Sequence, residues 1–131
     1  MLYIVGIGPG NNKYITEVAK DIIDNSEIII AGKRNIEALG NIEKEIFYIS
    51  SNLNEMKNYI LNNAQKNIVV LASGDPLIYG IASYINRELE GKIDIKIIAG
   101  ISSIQYAFSA FAIDMNDVYI SSSHGREPDY D

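Results

Sequence analysis

Three short stretches of this sequence combine glycine with serine, proline or aspartate: GIGPG at 6–10, SGDP at 73–76 and GISS at 100–103. They are called the first, second and third stretch below. Glycine leaves the backbone bare, so that a bulky ligand can approach it closely. The carboxylate of Asp75 accepts hydrogen bonds, and the serine pair of the third stretch offers hydroxyls and helix amides. These groups suit the binding of a polar small molecule, although each stretch alone is also compatible with a tight turn or a helix cap.

The first stretch differs from the loops that bind dinucleotides or phosphates. A dinucleotide-binding loop needs glycines at its first, third and sixth positions. Gly6 and Gly8 match the first two, but Asn11 occupies the sixth, and Pro9 removes an amide donor. The sequence contains no Gly-Lys-Ser or Gly-Lys-Thr, which a phosphate-binding loop requires. A tight turn without ligand and a glycine surface for a bulky ligand remain as alternatives.

The elements that must position these stretches follow from the spacing of apolar residues. Five apolar runs are short enough for buried strands: 2–7, 27–31, 45–49, 67–72 and 93–98. Apolar stripes at helical spacing lie between and after them: 15–23, 53–64, 78–89 and 104–111. The alternation predicts an α/β three-layer sandwich of about five mostly parallel strands with helices on both faces. A last short apolar run covers 118–120.

Each of the three stretches directly follows one of these strands. Ligands of parallel sheets bind beyond the carboxyl ends of the strands, where the strand order reverses. We therefore expect the three stretches to converge on one rim and to leave a hollow between them.

Composition narrows the possible functions. The 131 residues are 47% hydrophobic, which suits one domain with a real core. A net charge of −6 without a basic cluster disfavours nucleic-acid binding, and no apolar run is long enough to cross a membrane. Without cysteine the chain has no disulfide and no thiolate metal site, which fits a cytoplasmic location.

The three stretches, the second extended to ASGDP at 72–76, resemble in order and spacing the motif set of the tetrapyrrole methylases. This resemblance implies an enzyme that uses S-adenosylmethionine as cofactor. AGKRN at 31–35 and SHGR at 123–126 further resemble the branch that methylates ring carbon 5 of cobalt-precorrin-7 or precorrin-6Y in cobalamin biosynthesis.

Members of this family have two α/β domains with the cofactor between them. The resemblance therefore implies an N-terminal domain at 1–126 and the start of a linker to a missing C-terminal domain at 127–131. We expect the isolated domain to be inactive and to bind cofactor weakly. The resemblance also implies a corrinoid substrate, a homodimer of the full-length enzyme and a decarboxylating carbon-15 methyltransferase as a candidate partner.

The resemblance assigns cofactor binding to residues of all three stretches and the helix after the second. These residues are Pro9, Gly74, Asp75, Ile78, Ser102 and Ser103. Asp75 would accept hydrogen bonds from amino or hydroxyl groups of the cofactor, and Ile78 would contact its adenosine or methionine part. The structural alternatives are helix capping for Asp75 and the serines, and ordinary core packing for Ile78.

Other residues are assigned to the substrate. The substrate-binding candidates are Gly8, Gly10, Lys33 and Arg34, and the catalytic candidates are His124 and Arg126. Arginine recognises the carboxylates of a macrocycle with paired donors, and a histidine near neutrality can move a ring proton. The alternatives are a solvated tail for His124 and Arg126, and a solvated helix start for Lys33 and Arg34.

Two other kinds of function stay open. Related methylases act on a different precorrin carbon, on a diphthamide precursor or on ribosomal RNA, and the acidic charge disfavours the RNA. A non-catalytic nucleotide-binding module is the alternative from a different class. We interpret four scattered tyrosines as core or boundary residues without a role at the site: Tyr79, Tyr84, Tyr106 and Tyr119.

Overall fold

The computed structural model describes residues 1–9, 14–73, 81–112 and 114–116. Strands and helices alternate along these residues. The strands are β1 (Leu2–Gly6), β2 (Ile28–Ala31), β3 (Glu45–Tyr48), β4 (Ile68–Ala72) and β5 (Ile95–Ile98). The helices are α1 (Glu17–Asp24), α2 (Lys33–Leu39), α3 (Leu53–Asn62), α4 (Ala82–Leu89) and α5 (Ser103–Ala110).

The described strands form one parallel sheet in the order β3-β2-β4-β1-β5. β1 lies between β4 and β5, with Gly6 opposite Ala72 and Val5 opposite Ile98. The prediction of five parallel strands is therefore confirmed. The three strands that precede the three stretches are direct neighbours, so their carboxyl ends lie side by side.

Both faces of the sheet are covered, because alternate strand residues point to opposite sides. On one face, Ile4 and Ile30 belong to a cluster with residues of α3 and α4. On the other face, Val5 and Ile29 belong to a cluster with residues of α1 and α2. β2 and β4 consist entirely of buried residues. Helices on both faces confirm the three-layer sandwich, and each buried aliphatic side chain contributes about 1.5–3 kcal/mol.

Side-chain caps define where several helices begin. Asn52 Oδ1 accepts a hydrogen bond from the backbone N–H of Glu55 at 3.2 Å. Thr16 Oγ1 accepts one from Ala19 at 3.1 Å. The end of α1 is held differently, because Lys44 Nζ donates to the carbonyl oxygens at Asp24 and Ser26, both at 2.7 Å. A cation at this position also opposes the negative end of the helix dipole.

The sequence prediction was wrong in local details. No apolar stripe predicted α2 beyond the helix start considered for Lys33 and Arg34, since Ile36 is its one buried residue. Val18 falls within the apolar stripe predicted at 15–23, but 59% of its surface is exposed. The apolar run at 118–120 lies outside the described residues. The longest described helix has ten residues, half of what a membrane crossing needs.

Candidate functional site

The topology defines a switch point between β1 and β4. The chain leaves β1 toward α1 on one face of the sheet and leaves β4 toward α4 on the opposite face. Adjacent strands whose connections leave on opposite faces open a crevice at their carboxyl ends. The residues at this point, Gly6 and Ala72, carry no side chain larger than a methyl group. The first and second stretches therefore flank a position that no bulky strand side chain fills.

The first stretch turns sharply at Gly8. The N–H of Ile7 still donates to the carbonyl of Ala72 at 2.9 Å, which ties the start of the stretch to β4. Gly8 then adopts φ +79°, and a Cβ atom there would meet the carbonyl oxygen of Tyr14 at 3.0 Å. The side of Gly8 where other residues carry a Cβ therefore faces the backbone of Tyr14. Gly8 thus has a structural role, and its assignment to the substrate stays a prediction, like that of half-buried Pro9 to the cofactor.

The second stretch begins at Ser73, which is in contact with α2. The Ser73 hydroxyl donates to Oδ1 of Asn35 at 3.2 Å. This hydrogen bond brings the segment 31–35 to the second stretch. The remaining predicted residues there, Gly74, Asp75 and Ile78, lie outside the described residues, as does Gly10 of the first stretch.

The third stretch ends in a complete capping box. Ser102, only 3% exposed, accepts a hydrogen bond at Oγ from the N–H of Gln105 at 3.0 Å. The Gln105 side chain accepts one from the Ser102 N–H at 3.4 Å. Helix capping is therefore established for Ser102, and cofactor contact is compatible with it. Ser103 is the first residue of α5, and its side chain lies outside the description.

Lys33 and Arg34 are both exposed in the first turn of α2. This confirms a solvated helix start for both. The positive end of a helix dipole disfavours cations, so the presence of Lys33 and Arg34 in the first turn is not explained by a contribution to helix stability. Among the described residues neither takes part in a salt bridge. His124 and Arg126 lie outside the description.

The structure also brings together two residues that the sequence analysis missed. The rings of Tyr14 and Tyr106 lie 5.1 Å apart at 75°, in an edge-to-face contact between the loop after β1 and α5. The hydrogen bond with Tyr106, followed by the negative charge of an ionised Tyr106 and by burial, raises the pKa of Tyr14 above its usual value. The one available signal was that each tyrosine follows a glycine-containing stretch.

Cavities also occur away from this rim. One of about 710 Å³ lies at the amino ends of β1 and β5 and is lined by Met1, Glu90, Gly91, Lys92 and Asp94 among others. The amino ends of parallel strands are not where such sheets bind ligands. Within the described part of the chain, no group of acidic or histidine side chains could hold a metal ion.

The fold is that of a known family of enzymes. The family model "Tetrapyrrole (Corrin/Porphyrin) Methylases" matches residues 1–131, and the chain belongs to this family. The chain is 38% identical over 126 residues to the cobalt-precorrin-7 C(5)-methyltransferase of Salmonella typhimurium, covering 96% of this chain and 62% of that protein. The chain thus spans less than two thirds of this relative's length.

Solved structures agree with this assignment. The cobalamin biosynthesis precorrin-6Y methylase of Archaeoglobus fulgidus superposes with a TM-score of 0.81 at 28% identity, over 95% of this chain and 65% of that one. Uroporphyrin-III C-methyltransferase of Thermus thermophilus, in complex with S-adenosylhomocysteine, gives a TM-score of 0.71 at 21% identity, over 81% and 50%. At that identity the second likeness shows the fold alone.

Proposed function

We propose that this chain is the N-terminal domain, at 1–126, of an S-adenosylmethionine-dependent methyltransferase of cobalamin biosynthesis. Its substrate is cobalt-precorrin-7 or precorrin-6Y, and the methyl group goes to ring carbon 5. The observation that carries the proposal is the strand order, in which β4, β1 and β5 are neighbours and each is followed by one of the three stretches. The 38% identity to a carbon-5 methyltransferase supports the choice of carbon.

The described residues fit an adenosyl cofactor. Gly6 and Ala72 leave space at the switch point, and exposed Ser73 lies at its edge. The cofactor would be held by Pro9, Gly74, Asp75, Ile78, Ser102 and Ser103. Asp75 would accept hydrogen bonds from its polar groups, because a carboxylate accepts stronger hydrogen bonds than a neutral group does.

Bound S-adenosylmethionine supplies an activated methyl group, which an electron-rich ring carbon takes up in an in-line displacement. The chain therefore needs no nucleophilic side chain, in agreement with its lack of cysteine. Its residues orient the two reactants and exclude water. His124 would accept the proton that the methylated ring carbon loses.

The macrocycle would lie above the first stretch and α2. Lys33 and Arg34 would bind its carboxylates there, with Arg126 as a further cation and Gly8 and Gly10 forming the surface below the ring. These local cations must outweigh a net charge of −6. The intact enzyme would act as a homodimer, with a decarboxylating carbon-15 methyltransferase as a candidate partner.

The test is the position of the transferred methyl group. The intact protein is incubated with cobalt-precorrin-7 and S-adenosylmethionine that carries a ¹³C-labelled methyl group, and the product is examined by carbon NMR. We expect one new labelled methyl at carbon 5. Label at another carbon would place the protein in a different branch of the family. Cofactor binding without transfer to any corrinoid would favour a nucleotide-binding module.

A further inference from the structure

Tyr14 and Tyr106, called the tyrosine clasp below, connect two of the three stretches. Tyr14 lies against Gly8, and Tyr106 lies in the first turns of α5, after the Ser102 cap. Their rings meet edge to face with centroids 5.1 Å apart. This geometry is favourable because the positive edge of one ring faces the negative face of the other.

Among the described residues, little else fixes α5 on the domain. Its described side chains belong to neither of the two core clusters. Tyr106 is 42% exposed and the following Phe111 is 77% exposed. The buried cap residue Ser102 anchors the start of the helix. Within the described part of the chain, the clasp is therefore the side-chain contact that we connect with the direction of α5.

The hydroxyl group of Tyr106 also acts on Tyr14 electrostatically. Hydrogen bonding to Tyr106, followed by the charge of its ionised form, raises the pKa of Tyr14. The direction of this shift agrees with the close approach of the two rings.

We propose that the tyrosine clasp positions the third stretch against the first, and so sets the width of the space between these two stretches, beside the switch point, that takes the adenosyl part of the cofactor. The inference rests on the proposed function. The tyrosines act through the backbone of the first stretch and through the amides at the start of α5, and they do not touch the reacting atoms. They are positioning residues.

The test compares three substitutions in the intact protein. Tyr106→Ala removes the ring and its hydroxyl group, whereas Tyr106→Phe keeps the ring contact and removes the hydroxyl group alone. Tyr84→Ala is the matched control, because Tyr84 packs against the cluster formed with α3 and α4, next to Arg87. The readouts are the Kd of S-adenosylhomocysteine by calorimetry, KM for S-adenosylmethionine, kcat and the unfolding midpoint.

For Tyr106→Ala we expect the Kd and KM for the cofactor to rise roughly 2- to 10-fold, the range of an aromatic pair contact. kcat should change less than KM, because the substitution alters no group that contacts the reacting atoms. Tyr106→Phe should recover most of the affinity. Tyr84→Ala should lower the unfolding midpoint and leave the Kd unchanged, which separates positioning from stability.

Two results would overturn the inference in distinguishable ways. If the wild-type protein binds the cofactor and Tyr106→Ala binds it equally well, the clasp has no positioning role and the proposed function stands. If the wild-type protein itself binds no S-adenosylhomocysteine, the proposed function and the role of the clasp fail together.

Discussion

The two edges of the sheet differ in a way that separates available space from a binding site. The amino edge, where the strands begin, holds a cavity of about 710 Å³ lined by Glu90, Lys92 and Asp94. The carboxyl edge, where the strands end, carries the switch point, the three stretches and the tyrosine clasp. Both edges are built from the same strands, so the size of a cavity does not by itself distinguish them. The proposed site rests on strand order and residue type instead.

The largest expected difference between the two edges is in the unfolding free energy lost when a glycine is replaced by alanine. One glycine at each edge has the same backbone conformation. Gly8 and Gly91 both have φ +79°, but a Cβ at Gly8 would meet Tyr14 whereas one at Gly91 would meet open space. Gly91→Ala should cost about 1–2 kcal/mol of unfolding free energy, the strain of a left-handed residue. Gly8→Ala should cost about 2–5 kcal/mol, because overpacking adds to that strain. Urea unfolding measures both, and equal losses would show that the turn at Gly8 is less closely packed than described.

The next largest expected effect is a loss of cofactor affinity when an aspartate at the carboxyl edge is replaced. Asp75→Ala should weaken cofactor binding by roughly tenfold to hundredfold, the loss of a hydrogen bond to a charged group. Asp94→Ala, an exposed aspartate at the amino edge, should leave the affinity unchanged. Calorimetry with S-adenosylhomocysteine measures the affinity of both variants. If Asp75→Ala lowers the unfolding midpoint alone, Asp75 is a helix cap.

A smaller effect is expected from the exposed cations of α2. Replacing Lys33 and Arg34 by glutamine should raise KM for the corrinoid roughly 2- to 10-fold, because exposed ion pairs are weak individually. The same change at Lys66 and Lys92, near the amino edge, is the control. Steady-state kinetics at two salt concentrations should show the effect shrinking as salt rises. An unchanged KM would show that Lys33 and Arg34 are solvated residues without a role in substrate binding.

The smallest effect is a pH dependence at high pH. Hydrogen bonding to Tyr106 raises the pKa of Tyr14, and burial, followed by the Glu45 carboxylate, raises the pKa of Tyr59. The folded protein thus keeps these protons to higher pH than the unfolded chain. Their contribution to stability is complete below pH 10 and disappears as the pH rises through the raised pKa values.

Unfolding free energy measured across this alkaline range checks the prediction, with Tyr14→Phe and Tyr59→Phe each making the fall less steep. The two tyrosines also sharpen the comparison of the edges. Glu45 begins β3 at the amino edge, so bound cofactor should change the titration of Tyr14 and leave that of Tyr59 as it is. Equal changes would show that the ligand acts on the whole fold.

Much of this architecture was predictable because it depends on local patterns. Buried strands such as Ile68–Ala72 are continuous apolar runs, and the caps at Asn52 and Ser102 combine a side-chain acceptor with a following Glu or Gln. The common edge of the three stretches followed from a general rule for parallel sheets. α2 was anticipated only as a helix start at Lys33 and Arg34, because its single buried residue, Ile36, leaves no periodic signal.

The contacts between elements could not be read from the sequence. The hydrogen bond from Ser73 to Asn35 and the contact of Tyr14 with Tyr106 join residues far apart in the chain. Such pairs depend on the strand order, which the sequence pattern leaves open. Tyr106 was therefore interpreted as a boundary residue, although it lies beside the proposed cofactor site.

A crystal structure of the intact protein with S-adenosylhomocysteine tests the central claim most directly. We predict that the ligand lies at the carboxyl edge above β1, in contact with the switch point between β1 and β4, with its adenosyl part between the first and third stretches. A ligand bound in the cavity beside Met1 and Asp94, or anywhere else away from the switch point, would contradict it.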